Sequence, residues 1–383
     1  MKIVYLLPGG LFNSGGMERV VSIKANYLTE YMGYDVSVVT TEQMGRPVFY
    51  PLSERVHLYH LNIGIHEKFG RESYIEKIIS RTIKTQKYKR ALRKVLAEIN
   101  PDIIISTLGG LDIGFLNSLQ KDSVKIGELH FPGNFRQLMA RKLSNAFIPN
   151  LVAKIRTQTF KRQCEKLNRL VVLTREEKTF WKNQQFIDVI PNPISFLPSE
   201  SSSLRSKKAI AVGRLAYEKG FDLLIEAWKD VASKHPDWEL YIYGNGNQKE
   251  YLLRIIQENR LEQQIKIHEP VKDIQEKYLD SSLFILPSRY LEALPMVMLE
   301  AMACGLPLIA FDAPCGPKDI ITDGENGFLV TVGDVQSLTG KINRLIDSEE
   351  LRKKMGKASR RLSANYYVEK IMKRWDDLFR SKL

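Results

Sequence analysis

Short apolar runs separated by longer amphipathic stretches recur along nearly the whole chain, and this alternation constrains the fold more than any other feature. The runs fall at residues 3–7, 36–39, 56–61, 103–106, 124–128 and 170–174, then again at 209–213, 240–244, 265–268, 283–286, 308–311 and 328–330. Runs that are mostly apolar fit strands buried on both faces, and the stretches between them fit crossover helices. Parallel β-α-β units follow. Between the two sets, Pro191-Asn192-Pro193 and the polar run 199–208 break the pattern. A linker there divides the chain into two similar α/β halves, 1–195 and 207–365. A chain of 383 residues with 44% apolar content supplies two cores.

Composition narrows the class of protein. Cys164, Cys304 and Cys315 form neither an even disulfide framework nor a metal-ligand spacing, so a reduced, cytoplasmic setting is expected. Residues 1–8 reach a proline and a glycine pair too soon for a signal peptide and read as a first strand. No segment offers ~20 uninterrupted apolar residues, so no membrane span is expected. The C-terminal Ser381-Lys382-Leu383 matches a peroxisomal address, but a three-residue match is a weak signal and the segment reads as a frayed helix end. The net charge of +13 is concentrated: residues 67–94 hold ten Lys/Arg against three Glu, and 134–169 hold nine against one. Local charge of that kind implies an anionic partner.

The stretch 288–307, Ser-Arg-Tyr-Leu-Glu-Ala-Leu-Pro-Met-Val-Met-Leu-Glu-Ala-Met-Ala-Cys-Gly-Leu-Pro, follows a strand candidate and reads as a loop entering a helix over 293–303, with Pro295 in the first turn. Glu292 then stands at the C-terminal end of a strand, where open α/β sheets bind ligands. Backbone N–H groups of Ala293, Leu294, Met296 and Val297 offer a seat for phosphate. Glu300 lies eight residues on, about 12 Å along a helix. That exceeds the roughly 5–9.5 Å between paired glycosidase carboxylates. It suits groups on either side of a diphosphate.

This Glu-x7-Glu pattern, with its Leu-Glu-Ala-Met-Ala-x-Gly-x-Pro continuation, resembles the retaining glycosyltransferases of family 4. The resemblance implies that Glu292 contacts a donor sugar and Glu300 the ribose hydroxyls. It extends to Gly213-Arg214-Leu215, with Lys219-Gly220 following, where a strand end and a returning loop deliver two cations toward a diphosphate. Gly244 and Asn245 continue it as a glycine turn, and Val271 closes the segment 268–271 where the family holds the base. Gly15-Gly16-Met17-Glu18-Arg19 is similar to the family's donor-side glycine loop. By itself it is a common turn, and it matches neither Gly-x-Gly-x-x-Gly nor a P-loop. His130 ends the fifth strand candidate, where the family carries a histidine against the donor sugar. The family's frequent Glu-His pair is here Glu128-Leu129-His130. In 314–327, Asp319 replaces the usual Glu, and Asp323-Gly324-Glu325-Asn326-Gly327 reads as a structural turn.

The fold implied is α/β, two Rossmann-like domains facing a central cleft (GT-B), with the last part of a helical stretch over 338–380 crossing back so that 366–383 joins the first domain. The reaction implied is transfer of a hexose or N-acetylhexosamine from a UDP-sugar to a hydroxyl of a saccharide or lipid-linked acceptor, with retention, in surface polysaccharide synthesis. Front-face attack with the leaving phosphate as base requires no protein nucleophile. No Asp-x-Asp occurs, so neither metal nor other cofactor is expected beyond the nucleotide sugar. The residues implied in catalysis are His130, Arg214, Lys219 and Glu292. A sugar-nucleotide epimerase or a phosphorylase would share this architecture. Nucleic acid is not an expected partner, since no reading motif accompanies the cations. Ile75, Ile78, Ile79 and Ile83 lie near one helical face among Lys and Arg, and 147–151 adds apolar residues between the other cations. Two readings stand: peripheral docking on the anionic inner membrane face, or a solvated helix whose isoleucines pack on the core.

Overall fold

The computed structural model describes residues 1–65, 74–135, 147–290 and 292–381. The chain divides into two compact units, Met1–Pro193 with Val368–Leu383, and Ile194–Tyr367. Each is organised on one wholly parallel sheet with helices on both faces, as the alternation predicts.

In the first unit the strands are β1 (Lys2–Leu7), β2 (Asp35–Thr40), β3 (His57–His60), β4 (Ile103–Ser106), β5 (Val124–Leu129), β6 (Arg169–Val172) and β7 (Ile187–Val189), in the order β3-β2-β1-β4-β5-β6-β7. Helix α1 (Gly16–Glu30) carries the chain from β1 to β2. Helices α2 (Tyr74–Ile99) and α3 (Phe147–Cys164) carry it the opposite way across the sheet, and α4 (Arg175–Thr179) precedes β7. Right-handed crossovers then place α1 on one face and α2 and α3 on the other. The strand period of two sorts the core to match. Ile3, Tyr5 and Leu7 pack with Val21, Ala25 and Leu28 of α1. Val4 and Leu6 pack in the core that holds Tyr88, Leu92 and Leu96 of α2 and Phe160 of α3.

In the second unit β8 (Lys208–Val212), β9 (Glu239–Tyr243), β10 (Ile265–His268), β11 (Leu283–Leu286), β12 (Leu308–Phe311) and β13 (Gly327–Val330) take the order β10-β9-β8-β11-β12-β13. Helices α5 (Phe221–Lys234) and α6 (Lys249–Glu258) lead outward from β8. Helix α7 (Ile274–Leu279) returns to β11, and α8 (Met296–Ala303) leads to β12. The winding therefore reverses between β8 and β11, so the loops leaving their C-terminal ends diverge and open a crevice. Helices α9 (Pro317–Ile320), α10 (Val335–Asp347) and α11 (Glu349–Ser363) follow, and α12 (Val368–Arg380) packs Ile371, Met372, Trp375 and Phe379 into the core of the first unit.

Several details depart from the sequence reading. β7 is an additional strand of three residues, too short and too polar at Asp188 to register as an apolar run. The helical pattern over 338–380 is three helices, and Ser348 starts the second by accepting the Leu351 N–H at 3.1 Å. The stretch between Pro193 and β8 packs on the second unit, where Ser202 N–H donates to the Cys304 carbonyl at 2.8 Å and Leu204 is buried. Helix α8 starts three residues later than expected. Pro295 is its cap, with φ −69° and ψ 111°, and the restriction that proline places on its predecessor keeps the helix from starting earlier. Of the basic stretches, residues 67–73 and 136–146 lie outside the described residues, as do the side chains of Ile75 and Ile78 and of 147–150. Leu291, Lys382 and Leu383 also lie outside them.

Candidate active site

The crevice between β8 and β11 is walled by the loop that follows each strand. After β8 the chain makes a short turn of helix at Tyr217–Lys219 and reverses at Gly220, whose φ is +67°. A β-carbon there would lie 2.0 Å from the Pro287 carbonyl oxygen, so only glycine allows the two loops to touch. Their contact is fastened by Arg289, which sequence reasoning missed. Its guanidinium grips Asp222 with two bonds, at 2.7 and 2.6 Å, donates to the Tyr217 carbonyl at 2.8 Å, and lies over the Tyr217 ring. Asp222 precedes Arg289 by 67 residues, and no local pattern links them.

Across that contact Lys219 Nζ meets Glu292 Oε1 at 2.5 Å, and Ser288 Oγ donates to the same oxygen at 2.5 Å. Glu292 is buried while Lys219 keeps about a fifth of its side chain exposed. Glu292 is set by a bridge to the next loop, in which Cys315 N–H donates to the Glu292 carbonyl at 2.7 Å. The expected helical placement of Ala293 and Leu294 is thus corrected. They lie in the turn between this bridge and the α8 cap, and the helix start presents Met296 and Val297 instead. The 12 Å helical separation of Glu292 and Glu300 does not apply, because 292–295 is not helical.

The other candidates of the second unit have partners of their own. Arg214 is two-thirds exposed and pairs with Glu218, four residues on in the same loop, at 2.5 Å, not with Glu292. Glu300 is buried inside α8 and accepts from Ser195 Oγ at 2.7 Å and Tyr278 OH at 3.2 Å. Gly213 donates to the Tyr243 carbonyl, and a β-carbon on Gly244 would sit 1.9 Å from the Gly213 carbonyl oxygen. Leu215 N–H donates to the Asn245 carbonyl at 2.9 Å, which joins that glycine turn to the Lys219 loop. Val271 is exposed beyond β10.

In the first unit, Gly15 caps α1 and Gly16 opens it. The carboxyl of Glu18 folds back so closely that a β-carbon on Gly15 would lie 2.2 Å from it, and burial raises the Glu18 pKa. His130 follows β5 with its side chain 6% exposed. Its Nε2 is 3.3 Å from Glu128 Oε1, an ion-pair distance that falls short of hydrogen-bond geometry. Glu128 also accepts from Lys24 Nζ at 2.6 Å. Burial by itself would raise the Glu128 pKa, but the Lys24 ammonium and the neighbouring His130 ring outweigh it and lower the carboxyl to about 2. Among the described residues no three His, Cys, Asp or Glu side chains cluster as metal ligands would.

Two doubly wound parallel sheets, one in each unit, make up the GT-B fold, and a buried carboxylate pairs with a lysine at the switch point of the second. The same fold is found in sucrose-phosphate synthase from Thermosynechococcus elongatus (TM-score 0.81, 19% identity, 99% of this chain and 98% of that one) and in S. aureus TarM with UDP (TM-score 0.76, 18% identity, 99% of each). A family model described as glycosyl transferases group 1 matches residues 197–362. The amylovoran biosynthesis glycosyltransferase AmsD of Erwinia amylovora is 30% identical over 99% of both chains. An uncharacterized glycosyltransferase of Haemophilus influenzae is also 30% identical, over 98% of this chain and 99% of that one. The chain belongs to the glycosyl transferases group 1 family.

Proposed function

We propose that this glycosyltransferase moves a hexose or N-acetylhexosamine, with retention, from a UDP-sugar to a hydroxyl of a saccharide acceptor carried on a membrane lipid, in surface polysaccharide synthesis. The observation that carries the donor half is the Lys219–Glu292 pair at the β8/β11 crevice. A diphosphate entering there meets Lys219 in place, its charge balanced by Glu292. Exchanging the pair for ligand contacts puts the ammonium on phosphate and the carboxylate on the sugar, with Arg214 swinging from Glu218 to add a second cation. Glu300 serves the ribose hydroxyls, His130 the donor sugar, and Gly15 and Gly16 let backbone approach it. The relatives' names support a saccharide acceptor and a uridine donor: a lipopolysaccharide 1,6-galactosyltransferase of Salmonella typhimurium and a UDP-N-acetylglucosamine–peptide N-acetylglucosaminyltransferase subunit of Streptococcus pneumoniae are among them.

Turnover is tested by UDP release, screened over UDP-Glc, UDP-Gal, UDP-GlcNAc and UDP-GalNAc. Lys219→Ala and Arg214→Ala each remove a charge-assisted contact worth about 1.5–3 kcal/mol, so kcat/KM is expected to fall about 10- to 150-fold in variants that melt as folded protein. Wild-type rates in both would overturn the assignment.

The lipid-borne acceptor rests on exposure that the sequence could not decide. Ile79 and Ile83, one turn apart on α2, are 53% and 63% exposed, and Leu151, Val152 and Ile155 of α3 are 44%, 41% and 57% exposed. These isoleucines do not pack on the core. Helix α2 carries eight Lys/Arg against two Glu, and α3 four against none. Apolar side chains among cations fit an anionic lipid surface, where each nearby Lys or Arg adds about 1 kcal/mol. Sedimentation with anionic liposomes is expected at low salt and lost at high salt. No binding at low salt, or equal binding to neutral liposomes, would point to a soluble acceptor.

A further inference from the structure

A charged cluster in the first unit is left without a role by the account above. Lys24, on the inner side of α1, and Glu128, at the end of β5, have side chains only 1% exposed. Trp375 of α12 closes the cluster, with Lys24 Nζ 3.7 Å from its ring centroid, and Tyr5 of β1 lies on the same side at 5.4 Å. Burying two such ions is costly, and apolar side chains of similar volume would hold a core at least as well. What an apolar pair would not provide is a fixed negative charge beside His130. Strand alternation turns Glu128 and His130 to one side of the sheet, while Leu129 points into the core on the other. The one-residue separation that departs from the family's adjacent Glu-His pair is therefore what brings this carboxylate to the imidazole.

We propose that Glu128, held by Lys24, is a positioning residue for His130: it keeps a proton on Nε2 and so leaves Nδ1 as the ring's acceptor. The functional consequence rests on His130 being a donor-sugar contact, whereas the tautomer does not. An ionised carboxylate 3.3 Å from Nε2 attracts N–H and repels a lone pair, so one tautomer is favoured over the other. The charged groups around the ring are Glu128, Lys24 beyond it and Glu18 of α1.

The test uses the full chain with nitrogen-labelled histidine. In the wild type, His130 is expected as the Nε2–H tautomer. Lys24→Met with Glu128→Leu removes both charges together and strands neither, and it is expected to mix the two tautomers. Glu128→Gln, which keeps the side-chain shape, moves the same signal in the same direction by less. In UDP release the double variant is expected to lose about 10- to 100-fold in kcat with a smaller change in donor KM, as when the hydrogen-bonded support of a metal-bound histidine is removed. That loss is expected to vanish when the double variant is made in a His130→Ala background. An unchanged tautomer in both variants would overturn the proposal, and so would a loss of the same size with and without His130. Should His130→Ala itself turn over normally, the role of His130 at the donor fails, and the tautomer measurement still decides the positioning claim.

Discussion

At the scale of single residues, two carboxylates eight positions apart on a shared motif are held in different ways. Glu292 accepts from Lys219 and Ser288 at the crevice, whereas Glu300 accepts from Ser195 and Tyr278 inside the unit. Replacing Glu300 by Ala leaves those hydroxyls to find other partners, at about 1–3 kcal/mol for each one stranded, and a lowered melting temperature is expected; Glu300→Gln is expected to recover most of it. Glycines divide in the same manner. Gly220→Ala meets both a left-handed φ and the Pro287 carbonyl, so a loss above about 2 kcal/mol is expected by chemical denaturation. Gly324→Ala meets only its φ of +79°, with open space around it, and about 1 kcal/mol is expected. The Glu128 carboxyl adds a pH dependence. Its pKa falls on folding from the ordinary 4.5 to about 2, so its contribution is complete above 4.5 and is lost as the pH drops toward 2. Melting curves of the wild type are expected to decline more steeply across that window than those of the Lys24→Met/Glu128→Leu variant.

At the scale of elements, the central strands were legible because burial on both faces leaves them no polar side, and β4, β11 and β12, buried at every position, match their apolar runs end to end. The start of α8 was misread because Pro295 is acceptable both as a first helical residue and as a cap, and only the bridge from Glu292 to Cys315 distinguishes the two. The motifs marked Lys219 and Glu292 separately but not their pairing, and the Arg289–Asp222 grip beside them left no mark at all, since nothing local marks a partner 67 residues away. Helix α2 illustrates a further limit. Its 26 residues run about 39 Å, while the six residues of β1 span about 20 Å, so the helix outruns the sheet it covers. Periodicity does not reveal which turns project. Leu92→Ala, at a fully buried turn, is expected to cost about 2–5 kcal/mol, whereas Ile79→Ser with Ile83→Ser is expected to leave the melting temperature nearly unchanged and to abolish liposome sedimentation. A large loss of stability from the isoleucine pair would mean that they do pack.

At the scale of the whole molecule, one unit is contiguous in sequence and the other is not. The second needs only Ile194–Tyr367, whereas the first needs α12, whose Trp375 and Phe379 are buried against β1 and α1. During synthesis on the ribosome the order of completion is therefore reversed. Residues 194–367 are all translated before the first domain, although begun earlier, receives the helix that shields Lys24. A released chain truncated after residue 367 is expected to show a protease-resistant second domain beside a first domain that is still cleaved. Until that helix docks, the amino-terminal half leaves bare the faces of β1 and α1 that Trp375 and Phe379 cover, which makes it the half that chaperones would hold.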